Sequence, residues 1–195
     1  MSNFKIVEDL PTIDLQTDLQ NLLNNKKIFW PKYTTQICLN HIHENSDDIH
    51  FGIGSLFKDW DNKNISNNKI TVPNKKHILK ETDFKYLCNQ FKNTQFEEIY
   101  NILQSKYKIG RVRLMLSNPQ TCMSWHKDDT YRIHYPIKTQ TGCFMVINNQ
   151  VKHLEQNKWW LTNTTEYHTA VNSSLEQRVH LVACVLIDEN SNNRA

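Results

Sequence analysis

Residues 111–119 read RVRLMLSNP, and their alternation decides the fold class. Val112, Leu114 and Leu116 face one way, while Arg113, Met115 and Ser117 face the other, the period of a strand with one apolar side. Further short strands follow at 141–148 (TGCFMVIN), 151–155, 158–163 and 178–187 (RVHLVACVLI), with a turn at Asn148-Asn149. No helical period separates them, so the second half reads as an antiparallel sandwich or barrel.

Upstream of this stretch the period changes. Leu15, Leu19, Leu22 and Leu23 fall on one helical face within 12–24, with Pro11-Thr12 as a start signal. Residues 34–40 (TTQICLN) alternate as a strand. Thr94-Gln95-Phe96-Glu97 fits a capping box, in which the threonine serves the amide of Glu97 and the glutamate reaches back. Phe96, Ile99, Tyr100 and Leu103 then share a face, and Gly110 is expected to close that helix. The class is therefore α+β, with helices before 110 and sheet after. Gly52 and Gly54 in FGIGSLF suggest a close backbone approach or a bulge, and no phosphate-loop pattern follows them. Residues 59–81 are rich in Asn, Lys and Ser; a loop of that length is a candidate lid over a substrate.

Composition narrows the class of protein. The 195 residues suit one domain (1–195): an N-terminal part (1–110), a sheet core (111–187) and a polar tail (188–195). Hydrophobic residues make up 38%, and no apolar run has the length of a membrane span, so no membrane partner is expected. The opening MSNFKIVEDL has no signal pattern, which predicts a cytoplasmic protein. Cysteines 38, 88, 122, 143 and 184 are scattered and odd in number, as free thiols in a reducing compartment would be. A net charge of +3 with dispersed lysines argues against a nucleic-acid partner.

Residues 125–137, WHKDDTYRIHYPI, concentrate the chemistry. His126 and Asp128 are two apart, so on an extended chain an imidazole and a carboxylate point the same way. His168, from a later strand, completes a set of two histidines and one carboxylate. Such a set leaves adjacent coordination positions open, as non-haem Fe(II) oxygen chemistry requires. Asp129 is the rival carboxylate, expected on the opposite face. His41, His43 and His50 lie in a polar stretch without cysteines and read as surface histidines. Arg178 opens the last apolar strand. Facing a barrel interior it would need a carboxylate, and no acidic residue nearby in sequence supplies one. A small dicarboxylate would do so through two parallel hydrogen bonds.

HKD at 126–128, RIHYP at 132–136, WW at 159–160 and H…N…RVHL at 168–181 resemble the aspartyl/asparaginyl β-hydroxylase family, as does the strand GRVRLMLSNPQTCMSWH leading into the first histidine. The likeness spans roughly 110–187. Asp128 sets it nearest the HxD-bearing bacterial branch, which includes small proline hydroxylases of the free amino acid. Membrane-associated mammalian members lack that carboxylate and have a longer stretch between the positions of His126 and Arg132. The resemblance implies a double-stranded β-helix (jelly-roll, cupin-like) core, with Fe(II), 2-oxoglutarate and O2, and ascorbate as a reductant in vitro. It assigns His126, Asp128 and His168 to the metal, Arg178 to the far carboxylate of 2-oxoglutarate, and Arg132 and His134 to a second anion contact, on cosubstrate or substrate. No catalytic group beyond the metal ligands is called for. The implied reaction hydroxylates an unactivated C–H of an amino acid or of a peptidyl Asp, Asn or Pro. The alternatives are a sensor domain that binds 2-oxoglutarate without turnover, and a dioxygenase acting on nucleic acid. Trp125, Tyr131 and Trp160 lie close to the motif and are candidates to line a substrate pocket, with at least two of them expected to be ordinary packing aromatics.

Overall fold

The alternation at 111–117 extends through every long strand of the sheet it joins, and that single pattern organises the molecule. The computed structural model describes residues 2–32, 34–54, 56–58, 76–77 and 79–186. Most of the candidate lid (59–75 and 78) and the tail at 188–195 lie outside the described residues. In chain order the first elements are β1 (Phe4–Ile6), α1 (Leu15–Asn24), β2 (Gln36–Cys38), β3 (Asn40–His41), β4 (Phe57–Lys58), β5 (Lys76–His77), β6 (Tyr86–Leu87) and α2 (Gln95–Lys106). Then come β7 (Ile109–Ser117), β8 (Thr121–Cys122), β9 (Tyr131–Lys138), β10 (Cys143–Ile147), β11 (Gln150–Lys152), β12 (Trp160–Thr162), β13 (His168–Asn172) and β14 (Arg178–Val185).

From β7 onward the chain winds between two antiparallel sheets. The larger has the order β1-β12-β9-β14-β7-β2 and the smaller β11-β10-β13-β8. The pairs β10–β11, β9–β12, β8–β13 and β7–β14 are nested about the hairpin turn at Asn148, whose φ of 50° an asparagine tolerates. A long antiparallel ribbon is thus coiled on itself, with β9–β14 and β10–β13 joining successive windings. This is the double-stranded β-helix, or jelly-roll. Both α-helices of the described residues precede it.

The two faces of the larger sheet differ in kind. Val112, Leu114 and Leu116 (β7), Ile133, Tyr135 and Ile137 (β9) and Val179, Leu181, Ala183 and Val185 (β14) join one apolar cluster with Leu15, Leu19 and Leu22 of α1 and Phe96, Ile99 and Leu103 of α2. Burying this face against the helices supplies the main hydrophobic term, about 2 kcal/mol for each large side chain removed from water. Tyr135 donates its hydroxyl to Ile13 O (2.7 Å) and Trp159 donates Nε1 to Pro11 O (2.8 Å), which pins the approach to α1 onto the sheet. The alternate residues, Arg111, Arg113, Arg132, His134, Arg178 and His180, face the smaller sheet across a cavity.

Local readings are corrected in places. The first helix starts later than Pro11-Thr12 suggests, because Asp14 caps it by accepting from Gln16 N and Thr17 N (3.1 and 3.3 Å). At α2, Thr94 accepts from Phe96 N (3.1 Å), while Glu97 takes the amide of Asn93 (2.7 Å) instead of Thr94's own. Gly110 does not end this helix. It lies within β7, where a Cβ would stand 2.5 Å from the carbonyl oxygen of Glu81, so the glycine permits that close approach. Gly52 has a φ of +77°, and a side chain there would meet the Phe84 ring at 2.3 Å. The five cysteines are free and all but Cys122 are buried. No helix of the described residues is long and apolar enough to cross a membrane.

Candidate metal centre

Two stretches of backbone build the centre. Beyond β8 the chain continues beside β13, and His126 and His168 exchange backbone bonds: His126 N to His168 O (3.1 Å) and His168 N to His126 O (2.8 Å). That pairing brings their rings to one side, with centroids 4.3 Å apart. Each ring is held from behind. Nδ1 of His126 donates to Ser124 O (2.6 Å) and Nδ1 of His168 to Glu166 O (2.9 Å). A carbonyl only accepts, so each Nδ1 carries the proton and each Nε2 keeps its lone pair for a cation. Burial lowers the His168 imidazole below its ordinary value, which keeps it in that neutral form.

Asp128 is fixed by its own amide, which donates to Thr164 O (2.9 Å), and its Oδ2 stands 3.6 Å from His168 Nε2. One ligand atom from each of His126, Asp128 and His168 lies within 4.8 Å of the others. Two imidazoles and one carboxylate form a mixed nitrogen and oxygen donor set that fits Fe(II), and all three side chains line the cavity. Asp129 lies exposed at the cavity edge and stays outside the set. The other histidine group is not assembled: His41 Nδ1 accepts from His43 N (2.9 Å) and His50 turns to Phe29 O.

The cavity in front of the centre has a volume of about 780 Å³, and all the residues singled out in the sequence for metal and anion contacts line it. Its large-sheet wall carries four arginines in two different conditions. Arg111 donates Nε and Nη2 to the two oxygens of Glu81 (3.0 Å each) and Nη1 to the carbonyls of Gly52 and Gly54, the latter at 2.9 Å. Arg132 bonds to Asp128 Oδ2 through Nε (3.2 Å), to Glu81 Oε1 through Nη2 (3.2 Å) and to Thr130 through Nη1. Both are saturated by the protein. Arg178 is buried, has no carboxylate partner among the described residues, and leaves its Nε without a bond. Arg113 is the fourth, bonded among the described residues only to Gln36.

His134 and His180 stand between these groups, with Nδ1 atoms 3.5 Å apart and both Nε2 atoms buried without partners. Burial, with Arg178 second in each case, pushes both imidazoles well below the ordinary histidine range, so they are neutral at pH 7. Glu81 behaves oppositely. Burial acts to raise its carboxyl, but the Arg111, Arg132 and Arg113 guanidinium groups outweigh that and hold it below its ordinary value.

Sequence reading missed Glu81, Arg111, Arg113 and His180 as pocket residues. The alternation of β7 and β14 already set Arg111, Arg113 and His180 opposite the apolar face; nothing local marked Glu81, which reaches the site from a 3-10 turn at Glu81–Asp83. Trp125, Tyr131 and Trp160 do not line the cavity. Trp160 is buried in a second cluster with Met145, Ile147, Leu154 and Ala170.

The fold is thus a jelly-roll whose inner face gathers two histidines and an aspartate before a cation-lined pocket. The chain matches the aspartyl/asparaginyl beta-hydroxylase family over residues 15–186, and it belongs to that family. The match therefore begins well before the 110–187 stretch that carries the motif. No curated protein matches the sequence. Among solved structures the chain is similar to an oxidoreductase of the 2OG-Fe(II) oxygenase family from Burkholderia pseudomallei, at 13% identity and a TM-score of 0.37 over 49% of this chain. The aligned part is 52% of that protein, about half its length. It is also similar to a cupin domain from Bordetella pertussis (15% identity, 40% of this chain and 81% of that one, TM-score 0.34). A predicted oxalate decarboxylase from Thermotoga maritima aligns at 16% identity over 45% of this chain and 73% of its own, with a TM-score of 0.35.

Proposed function

We propose that this protein is an Fe(II)- and 2-oxoglutarate-dependent dioxygenase that hydroxylates an unactivated C–H of an amino acid or of a peptidyl residue of the Asp, Asn or Pro type. The observation that carries the reading is the convergence of His126, Asp128 and His168 in one cavity with Arg178, a buried guanidinium with no carboxylate partner among the described residues. Fe(II) held by these three side chains would supply O2 activation coupled to oxidation of 2-oxoglutarate, so that R–H, O2 and 2-oxoglutarate yield R–OH, succinate and CO2.

The chain's own residues bind, orient and exclude water. Ser124 O and Glu166 O fix the imidazole planes, and Arg132 with Thr164 O fixes Asp128, so the ligand atoms need little rearrangement on binding a cation. Arg178 offers its fork to the remote carboxylate of 2-oxoglutarate, and that pairing relieves a buried uncompensated charge. Of the neutral His134–His180 pair, the ring that accepts at Nδ1 carries its proton on Nε2, and that Nε2, without a partner among the described residues, can donate to a bound anion without adding charge. No general base is required, because removal of a C–H hydrogen is not proton transfer to a side chain.

Succinate formation tests the proposal. Protein with Fe(II), ascorbate, O2 and 2-oxoglutarate, supplied with pooled amino acids, should form succinate by NMR, and the His168→Ala variant should not. Tight 2-oxoglutarate binding with no succinate in any condition would replace this reading with that of a sensor.

A further inference from the structure

Of the four arginines on the inner face, Arg111 and Arg132 have protein partners at every guanidinium nitrogen, and the proposed function takes Arg178 for the cosubstrate. Arg113 is left over. It is 6% exposed, bonds to the neutral amide oxygen of Gln36 through Nη1 (2.8 Å), and its Nε is buried without a partner among the described residues. The same Gln36 oxygen already accepts from Gly54 N (2.9 Å). No carboxylate of the described residues forms an ion pair with Arg113: Glu81 attracts it from farther off, but its oxygens are taken by Arg111 and Arg132. A buried cation in that condition is costly unless an anion from outside completes it.

The site of that anion is separate from the Arg178 site. On β14, Arg178 stands opposite Ser117 and Val182 opposite Arg113, so the two arginines are four residues apart in register, about 13 Å along the strands. His134 lies across β14 from Arg113 in the same row, through Val182. A short dicarboxylate chelated at the metal and paired with Arg178 therefore leaves Arg113 free for a second molecule. That second molecule shares the cavity with the metal ligands, which is the position of a substrate.

We propose that Arg113 binds a carboxylate of the substrate, so that the substrate is an amino acid or short peptide carrying a free carboxylate. This rests on the dioxygenase reading and goes beyond it in naming the group recognised and the residue that recognises it. Arg132, the residue the sequence offers for that task, is committed to Asp128 and Glu81. Two parallel N–H···O bonds from Arg113 Nε and a terminal nitrogen would satisfy the orphaned Nε and give the substrate a fixed orientation.

The test uses the full chain loaded with Zn(II) and 2-oxoglutarate, and pairs of probes that differ only in one carboxylate. The pairs are free L-amino acids against their amides, tripeptides with free against amidated C-termini, and capped tripeptides with a central Asp against Asn. Affinities are read by ligand-observed NMR. In at least one pair the acid should bind on the order of a hundredfold more tightly than the amide, and the pair concerned identifies the source of the carboxylate. Arg113→Met should abolish the preference while changing 2-oxoglutarate affinity less than about threefold, and Arg113→Lys, which keeps charge but not the fork, should fall between. Without ligands, Arg113→Met should melt at a higher temperature than the wild type, because it removes an uncompensated buried charge. Absence of acid preference in every pair, a preference that survives Arg113→Met, equal loss of 2-oxoglutarate, or a lower melting temperature without ligands each overturns the inference. Calorimetry with 2-oxoglutarate is run on the same wild-type samples. Failure to bind there rejects the dioxygenase reading, whereas acid preference is scored independently of it.

Discussion

Replacing Glu81 with Gln tests the polar network that supports the centre. The substitution keeps the shape and removes the charge that Arg111 and Arg132 share, with side chains only 13%, 4% and 4% exposed. At an effective dielectric of about 20, each guanidinium about 4 Å away attracts the carboxylate by about 4 kcal/mol, before desolvation offsets much of it. Removing one partner from such a buried network costs about 3–5 kcal/mol, since the cations left behind stay buried. With a urea dependence of about 2 kcal/mol per molar for a chain of this size, the unfolding midpoint should fall by about 2 M at pH 7. The pH dependence adds a sign. Glu81 is held below its ordinary value when folded, so its contribution is present above the unfolded value of about 4.3 and is lost as pH falls through the folded one. Glutamine does not titrate there. The gap between wild type and Glu81→Gln should therefore narrow as pH drops below about 4. Urea unfolding followed by tryptophan fluorescence at pH 7 and at lower pH measures both. A midpoint within about 0.5 M of wild type at pH 7, or a gap that stays constant with pH, would refute the reasoning.

Other outcomes follow from the same geometry. Arg178→Met should weaken 2-oxoglutarate binding by about a hundredfold in calorimetry while leaving Zn(II) binding within a few-fold, because it removes one carboxylate's partner and no metal ligand. Asn40→Ala should cost about 3 kcal/mol or more in urea unfolding: the buried amide donates to Phe84 O (3.1 Å) and Gly110 O (2.9 Å) and accepts from Val112 N (2.8 Å), and alanine leaves all three backbone groups unpaired.

The site was legible where chemistry is local in sequence. HxD on an extended chain predicts an imidazole and a carboxylate on one side, and the His126 and Asp128 side chains do converge with His168. His168 and Arg178 were found through the family likeness and through an arginine without a local carboxylate. Arg132 and His134 were recognised as lining residues, but the saturation of Arg132 by Glu81 and Asp128 could not be read, since Glu81 is 51 residues away along the chain. His41, His43 and His50 read as surface histidines from their polar surroundings, but His41 is buried, its Nδ1 accepting from His43 N, a burial that only the tertiary packing could reveal.

Sequence alone determined the two-residue period of β7 and β14 and the two helices before residue 110, because side-chain direction in a strand and the apolar stripe of a helix are local properties. Only the tertiary structure decided which arginines are occupied. Whether a buried guanidinium is satisfied depends on groups brought to it by other strands and turns, as Glu81 is brought to Arg111 and Arg132 while no carboxylate of the described residues forms an ion pair with Arg113 or Arg178.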